Sequence, residues 1–159
     1  MNKLWLVLVS AAVMLGCSHA ARLYPVQGPL SAQTPLPVLA AKVTGSLTPG
    51  DFSVVLSDGE VCKGHFSVVS RNPTAKTANP ATPAAADLSS AWDTIYGPGF
   101  YVAHVLGARY YARTVASGNR GTVLNVEIYR SENVEGGTFV AATKGVAKDS
   151  GGNLYKIVF

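Results

Sequence analysis

The chain has 159 residues, of which 48% are hydrophobic and 14% are charged, and its formal net charge is +4 at pH 7. This length and apolar content suit one compact domain with a hydrophobic core. The basic residues form no block, so nucleic-acid binding is not expected. The usual motifs of hydrolases, zinc peptidases and phosphate-binding loops are absent, and the histidines and carboxylates do not cluster at metal-ligand spacing. We therefore expect no cofactor and no metal, and a non-enzymatic role is favoured over catalysis.

Residues 1–16 have the organisation of a secretory signal peptide. Lys3 supplies a positive charge, an uncharged apolar run covers residues 4–15, and the small residue Gly16 precedes Cys17. The apolar run is shorter than the roughly 20 residues that a membrane-spanning helix needs. We therefore predict that residues 1–16 are removed from the mature protein.

The residues Met14-Leu15-Gly16-Cys17 resemble the lipobox of bacterial lipoproteins. The resemblance implies that the thiol of Cys17 carries a diacylglyceryl group, that cleavage occurs just before it, and that the new amine is acylated, for example with palmitate. Ser18, where an Asp would imply retention in the inner membrane, implies the outer membrane. The expected membrane partner is thus the bilayer, through a lipid anchor at Cys17. An ordinary cleaved signal with a chance cysteine is the alternative.

Residues 17–37 are predicted to be a Pro-rich tether. Four prolines, together with Gly28 and Ser31, disfavour regular structure in this segment, and the alternative is that Tyr24 and Val26 lie along the domain as a short edge segment. A segment of this composition would hold the folded domain away from the bilayer. The domain is then expected to cover residues 38–159.

The pattern from residue 38 onward is that of short strands separated by turns. Residues 51–56 alternate between apolar and polar, and Asp58-Gly59 is a strong hairpin signal. Alternation along 61–69 places Cys62 on an apolar face and His65 on the opposite, wet face. The other strand candidates are 38–45, 100–106, 109–116, 122–130, 138–148 and 154–159. This pattern predicts a mainly β domain, either a single antiparallel β-sandwich or a small β-barrel-like domain.

Two segments interrupt the strands. Residues 70–86 are rich in Ala, Pro, Thr and Asn, so we predict a long exposed loop there. In the next segment, apolar residues recur at helical spacing, and Gly97-Pro98 is a stop signal. We therefore predict one short helix over about residues 88–96, packed on the sheet through Trp92 and Tyr96.

The strand 109–116 carries the candidate ligand-binding residues. Arg109, Tyr111 and Arg113 alternate and so share one face. Cations interleaved with an aromatic ring suit an anionic or glycan ligand of the cell envelope. The alternative is a solvated sheet face whose arginines pair in part with Glu127.

Cys62 is expected to be buried, and it cannot form a local dyad with His65 because their side chains point to opposite faces.

Together these expectations describe a non-enzymatic outer-membrane lipoprotein that faces the periplasm. It would bind or help assemble an envelope component, such as another envelope protein or a glycan. One alternative is an envelope enzyme acting on peptidoglycan or lipid. The other is a small integral outer-membrane β-barrel, because the alternating Tyr155, Ile157 and Phe159 resemble the closing strand of such barrels.

Overall fold

The computed structural model describes residues 18–45, 50–68, 88–131 and 142–159. Within these ranges lie eight β-strands, one α-helix, one 3₁₀-helix and one π-helical turn. The strands are β1 Ser18–Gln27, β2 Leu39–Gly45, β3 Gly50–Val55, β4 Val61–Val68, β5 Tyr110–Gly118, β6 Val123–Arg130, β7 Thr143–Asp149 and β8 Leu154–Val158. The helical elements are the 3₁₀-helix Pro29–Ala32, α1 Ser89–Tyr96 and the π-helical turn Tyr101–Val105.

The eight strands form a closed antiparallel barrel in chain order. Each strand pairs with the next one along the chain, and β1 also pairs with β8, where Arg22 lies opposite Val158. Closure leaves neither edge of the sheet unpaired. The predicted mainly β domain with one short helix is therefore confirmed, and of the two architectures considered it is the barrel that forms.

The two ends of the barrel differ in the length of their connections. Because neighbouring strands run in opposite directions, Ser18, Gly45, Gly50, Tyr110 and Arg130 all lie at one end. We call this the entry end, since β1 starts there. The opposite end, here called the turn end, carries the short turns 56–60, 119–122 and 150–153. The long connection that includes α1 joins β4 to β5 and returns to the entry end.

The barrel interior is a packed apolar core. Inward and outward side chains alternate along each strand, as the pleat of a strand requires. Phe52 and Phe66 meet edge to face, with ring centroids 6.1 Å apart. Cys62 is fully buried among these side chains and His65 is exposed, so both predicted positions are confirmed.

The segment predicted to be a tether contains the first strand of the barrel. Residues Ser18–Gln27 pair with both β2 and β8, and Ala21 and Leu23 point into the core. Pro25 is accommodated where the register with β8 shifts between Pro25 and Gln27. The prediction of a tether over 17–37 is therefore wrong for residues 18–27. Cys17 itself lies outside the described residues.

The predicted strand over 100–106 is also wrong, because Tyr101–Val105 form a π-helical turn. The backbone N–H of Leu106 donates to the carbonyl of Tyr101 over 2.8 Å. Gly99 and Gly107 bracket the turn with φ values of 78° and 77°, which favour glycine. The predicted helix is confirmed as α1. The predicted loop 70–86 lies outside the described residues.

Candidate functional site

Helix α1 packs on the outside of the barrel, over β5 to β7. Its Trp92 is fully buried and meets the edge of Tyr129 at a centroid distance of 6.4 Å. The shared apolar contacts form a second, smaller core outside the barrel. Its buried members are Leu88, Ala91, Trp92, Val105, Tyr111, Tyr129, Val146 and Leu154.

A buried polar network lies beneath this helix. The indole Nε1–H of Trp92 donates to Oε2 of Glu127 over 2.7 Å, and Nη2 of Arg113 lies 3.5 Å from the other carboxylate oxygen. The same guanidinium donates to the hydroxyl of Tyr111 over 2.9 Å. Glu127 has a side-chain exposure of only 3%, so its charge depends on these partners. The network thus fixes α1 to the sheet by a charge-assisted hydrogen bond.

The structure brings together two of the three predicted ligand-binding residues. Tyr111 and Arg113 share the outer face of β5, but Tyr111 is only 3% exposed and Arg113 is half-buried. Arg109 is exposed and lies apart from them, with its guanidinium 5.2 Å from the ring centre of Tyr110. The pairing of Arg113 with Glu127, the alternative raised by the sequence, is present. Ligand binding by Arg109, Tyr111 and Arg113 stays a prediction.

Burial also sets the protonation of the tyrosines in this region. It raises the pKa of Tyr111, and the nearby charge of Glu127 raises it further. Burial likewise raises the pKa of Tyr96 to about 12, and its hydroxyl donates to the carbonyl of Gly145 over 3.2 Å. Both hydroxyls are therefore neutral hydrogen-bonding groups at neutral pH.

Four aromatic side chains follow one another at four-residue spacing from α1 into the π-helical turn. Successive ring centroids of Trp92, Tyr96, Phe100 and His104 lie 5.4, 4.9 and 4.7 Å apart. The ammonium of Lys156 on β8 lies 5.3 Å from the ring centre of Tyr96. Stacked and cation–π contacts of this kind stabilise the packing of both elements.

Beside this aromatic row the chain presents two apolar side chains to solvent. Val102 is 67% exposed and Leu106 is 59% exposed, whereas the other exposed large apolar side chains of the described residues range from 41% to 46%. We call this pair the apolar ridge. Val105 between them is fully buried and holds the turn against Tyr111. The ridge was not predicted from the sequence, because the apolar run over residues 100–106 favours a strand.

The outer face of β2 to β4 carries a shallow polar cleft. Lys42, Ser53 and Lys63 lie directly opposite one another on the three strands. The two lysines are exposed and flank the serine, and the backbones of their strands are two strand spacings apart, about 10 Å. Next to this row, Nδ1 of His65 lies 2.8 Å from the Asp51 carboxylate, and both side chains are exposed.

A second polar cluster closes the turn end. The carboxylate of Glu60 accepts the hydroxyl of Thr122 over 2.6 Å and the backbone N–H of Arg120 over 2.5 Å. These bonds join the β3–β4 turn to the β5–β6 turn, and the bond from Thr122 holds the pKa of Glu60 below its ordinary value. Because the buried carboxylate is already occupied by these donors, we assign it a structural role.

The residues that could form a nucleophilic site lie in three different places. Cys62 is inside the barrel, where burial raises the pKa of its thiol. His65 is on the outer face beside Asp51, and the ring of His104 lies against that of Phe100 at a tilt of 42°. Among the described residues, no group of three His, Cys, Asp or Glu side chains could hold a metal ion. None of the helices in the described ranges is long and apolar enough to cross a membrane.

Comparison of the chain with protein-family models, with curated proteins and with solved structures finds no match. Function is therefore inferred from the chemistry and geometry of the chain itself.

Proposed function

We propose that this chain is an outer-membrane lipoprotein, anchored through lipid on Cys17, whose barrel faces the periplasm. Its role in this proposal is non-enzymatic: it binds or helps assemble an envelope component. The observation that carries the proposal is the pattern of charge on the barrel. The interior is apolar, while a charged residue occupies an outward position on each strand: Arg22, Lys42, Asp51, Lys63, Arg113, Glu127, Lys148 and Lys156.

This pattern supports a barrel surrounded by water over one surrounded by lipid. A membrane-spanning barrel needs an outward apolar band about 25 Å tall, and each Arg or Lys at the bilayer midplane costs about 2–4 kcal/mol. Lys42 is the central residue of β2 and Lys63 is the third residue of β4, and both side chains are exposed. A lipid anchor provides membrane attachment without placing these charges in hydrocarbon.

The polar cleft on β2 to β4 supports the binding role. Its two exposed lysines, Lys42 and Lys63, lie on either side of the hydroxyl of Ser53, with the Asp51–His65 pair beside them. Two cations and a hydroxyl on one exposed face suit an anionic envelope component, either a glycan or the acidic surface of a protein. Binding there requires no rearrangement of the barrel.

Metabolic labelling with a palmitate analogue tests the anchor. The wild-type protein is expected to take up label and to sediment with outer membranes. Cys17→Ala is expected to lose the label and to leave the membrane or stay unprocessed. Cys62→Ala is the matched control, since it removes the other cysteine and should keep the label. A labelled, membrane-bound Cys17→Ala protein of mature size would contradict the anchor.

Affinity capture of the lipidated protein from envelopes tests the binding role. Wild-type protein is expected to retain a partner or glycan that the K42A/K63A double variant loses. R22A/K148A is the charge-matched control, because it removes two exposed cations from other strands. Failure to recover any partner or ligand with the wild type counts against the binding role and leaves the anchor standing.

A further inference from the structure

The apolar ridge lies at the same end of the barrel as the predicted lipid. The π-helical turn leads through residues 106–109 into Tyr110, the first residue of β5, at the entry end. Strand β1 begins at Ser18 at that same end, and Cys17 is the preceding residue. Because β1 is a barrel strand and not a tether, no spacer separates the anchor from the folded domain. A lipid on Cys17 therefore holds the entry end close to the bilayer.

The ridge is a preformed surface. The backbone N–H of Tyr101 donates to the carboxylate of Asp93 over 2.9 Å, which ties the start of the π-helical turn to α1. Buried Val105 ties its end to the outer core, leaving Val102 and Leu106 directed to solvent. A rigid apolar pair loses little conformational freedom when it is buried by a partner.

Cationic and aromatic side chains border the ridge at the entry end. Arg109 follows Leu106 by three residues and is exposed. The guanidinium of Arg130 lies 4.0 Å from the ring centre of Tyr110, with that of Arg109 on the same ring at 5.2 Å. Tyrosine is enriched at the boundary between hydrocarbon and headgroups, and arginine near the membrane surface is attracted to anionic lipid.

We propose that the apolar ridge, Val102 and Leu106, inserts into the phospholipid leaflet that holds Cys17, while Arg109 contacts its headgroups. This inference rests on the proposed lipid anchor. The anchor supplies attachment, and the ridge supplies a second contact that fixes the orientation of the barrel. The turn end then points away from the bilayer. The polar cleft on β2 to β4 lies on the side of the barrel and is open to the periplasm.

Fluorescent labelling of the lipidated protein tests the ridge. An environment-sensitive fluorophore is attached to Val102→Cys in protein reconstituted into vesicles of phosphatidylethanolamine and phosphatidylglycerol that contain a doxyl-lipid quencher. Val55→Cys, which is exposed at the turn end, is the matched control. Buried Cys62 is not labelled under native conditions. Leu106→Cys is a second ridge position, in case the first variant does not fold.

The ridge label is expected to shift to the blue and to be quenched, whereas the control label should do neither. Adding Leu106→Asp should reduce the quenching at position 102 to that of the control. If the protein floats with the vesicles but its ridge label is not quenched, insertion of the ridge into the leaflet is wrong, whereas the lipid anchor is still supported. Protein that carries no lipid and does not float overturns both proposals.

The same label distinguishes two other ways in which the ridge could be covered. A blue shift that appears without vesicles and grows with protein concentration shows that a second copy of the chain covers the ridge. A shift that requires added envelope proteins and is absent with lipid alone shows a protein partner. Either result overturns insertion into the leaflet.

Discussion

Cys62 shows how the fold determines the chemistry of a single residue. Its side chain is fully buried in the barrel, and burial raises the pKa of the thiol. We predict that Ellman's reagent does not react with Cys62 in the native protein and reacts fully after unfolding in guanidinium. Rapid reaction of the folded protein would show an accessible thiol and would revive a catalytic role for it.

The bond between Trp92 and Glu127 is expected to be the most important polar contact of helix α1. Trp92→Phe removes the donor to a buried carboxylate, which should cost about 2 kcal/mol of unfolding free energy, and it also shrinks a fully buried ring, which should add to that loss. Urea unfolding measures this change. Tyr96→Phe is the control, because it removes only a neutral 3.2 Å bond and should cost about 1 kcal/mol or less. Equal effects of the two substitutions would contradict the assigned role.

The buried tyrosines predict a loss of stability in alkali. The fold favours the neutral form of Tyr96, whose pKa rises from 10.0 to about 12, and burial also raises the pKa of Tyr111 and Tyr155. Their contribution is complete below the unfolded pKa of 10.0 and is lost as the pH rises through the folded values. We expect Tyr96→Phe to reduce the dependence of the unfolding free energy on pH between about 10 and 12. An unchanged slope would argue against burial of this hydroxyl.

At the scale of elements, the first strand sets the boundary of the domain. A chain that starts at residue 38, where the sequence pattern placed the domain, lacks β1 and leaves β2 and β8 with unpaired edges. We predict that residues 38–159 do not unfold cooperatively and that they aggregate, as exposed strand edges do. Circular dichroism and gel filtration provide the measurement, with residues 18–159 as the control. A soluble, cooperatively folded 38–159 chain would show that β1 is dispensable.

The elements predicted correctly from the sequence are those whose signals are local. Apolar residues at helical spacing defined α1, and the Asp58-Gly59 turn defined the β3–β4 hairpin. The two errors have a common cause. The prolines of β1 argue against a strand, and its pairing with β8 depends on residues more than a hundred positions away. The π-helical turn and Phe100 just before it pack in the same outer core as Trp92 and Tyr111. Tertiary contacts outweigh local propensity in both segments.

At the scale of the whole molecule, the sequence led to two architectures because strand count and alternation are common to sandwiches and small barrels. The choice between sandwich and barrel depends on whether β1 pairs with β8, and no local sequence pattern predicts that pairing. The same limit applies to the candidate site. Alternation predicts that Arg109, Tyr111 and Arg113 share a face, with Glu127 on a neighbouring strand as a possible ion-pair partner. That helix α1 covers this face could not be deduced from the strand alone.

The barrel as a whole has an apolar core, and each of its strands carries a charged residue at an outward position. If lipid on Cys17 provides the membrane attachment, then removing residues 1–17 should leave all eight described strands and remove only the anchor.

The most direct measurement is therefore the behaviour of residues 18–159 in buffer without detergent. We predict a soluble protein whose near-ultraviolet circular dichroism shows ordered aromatic side chains and whose urea unfolding is a single cooperative transition. The opposite result is a chain that stays insoluble or unfolded in buffer and acquires β structure only when detergent or lipid vesicles are added. That result would contradict a water-facing barrel held by a lipid anchor and would favour the integral outer-membrane barrel.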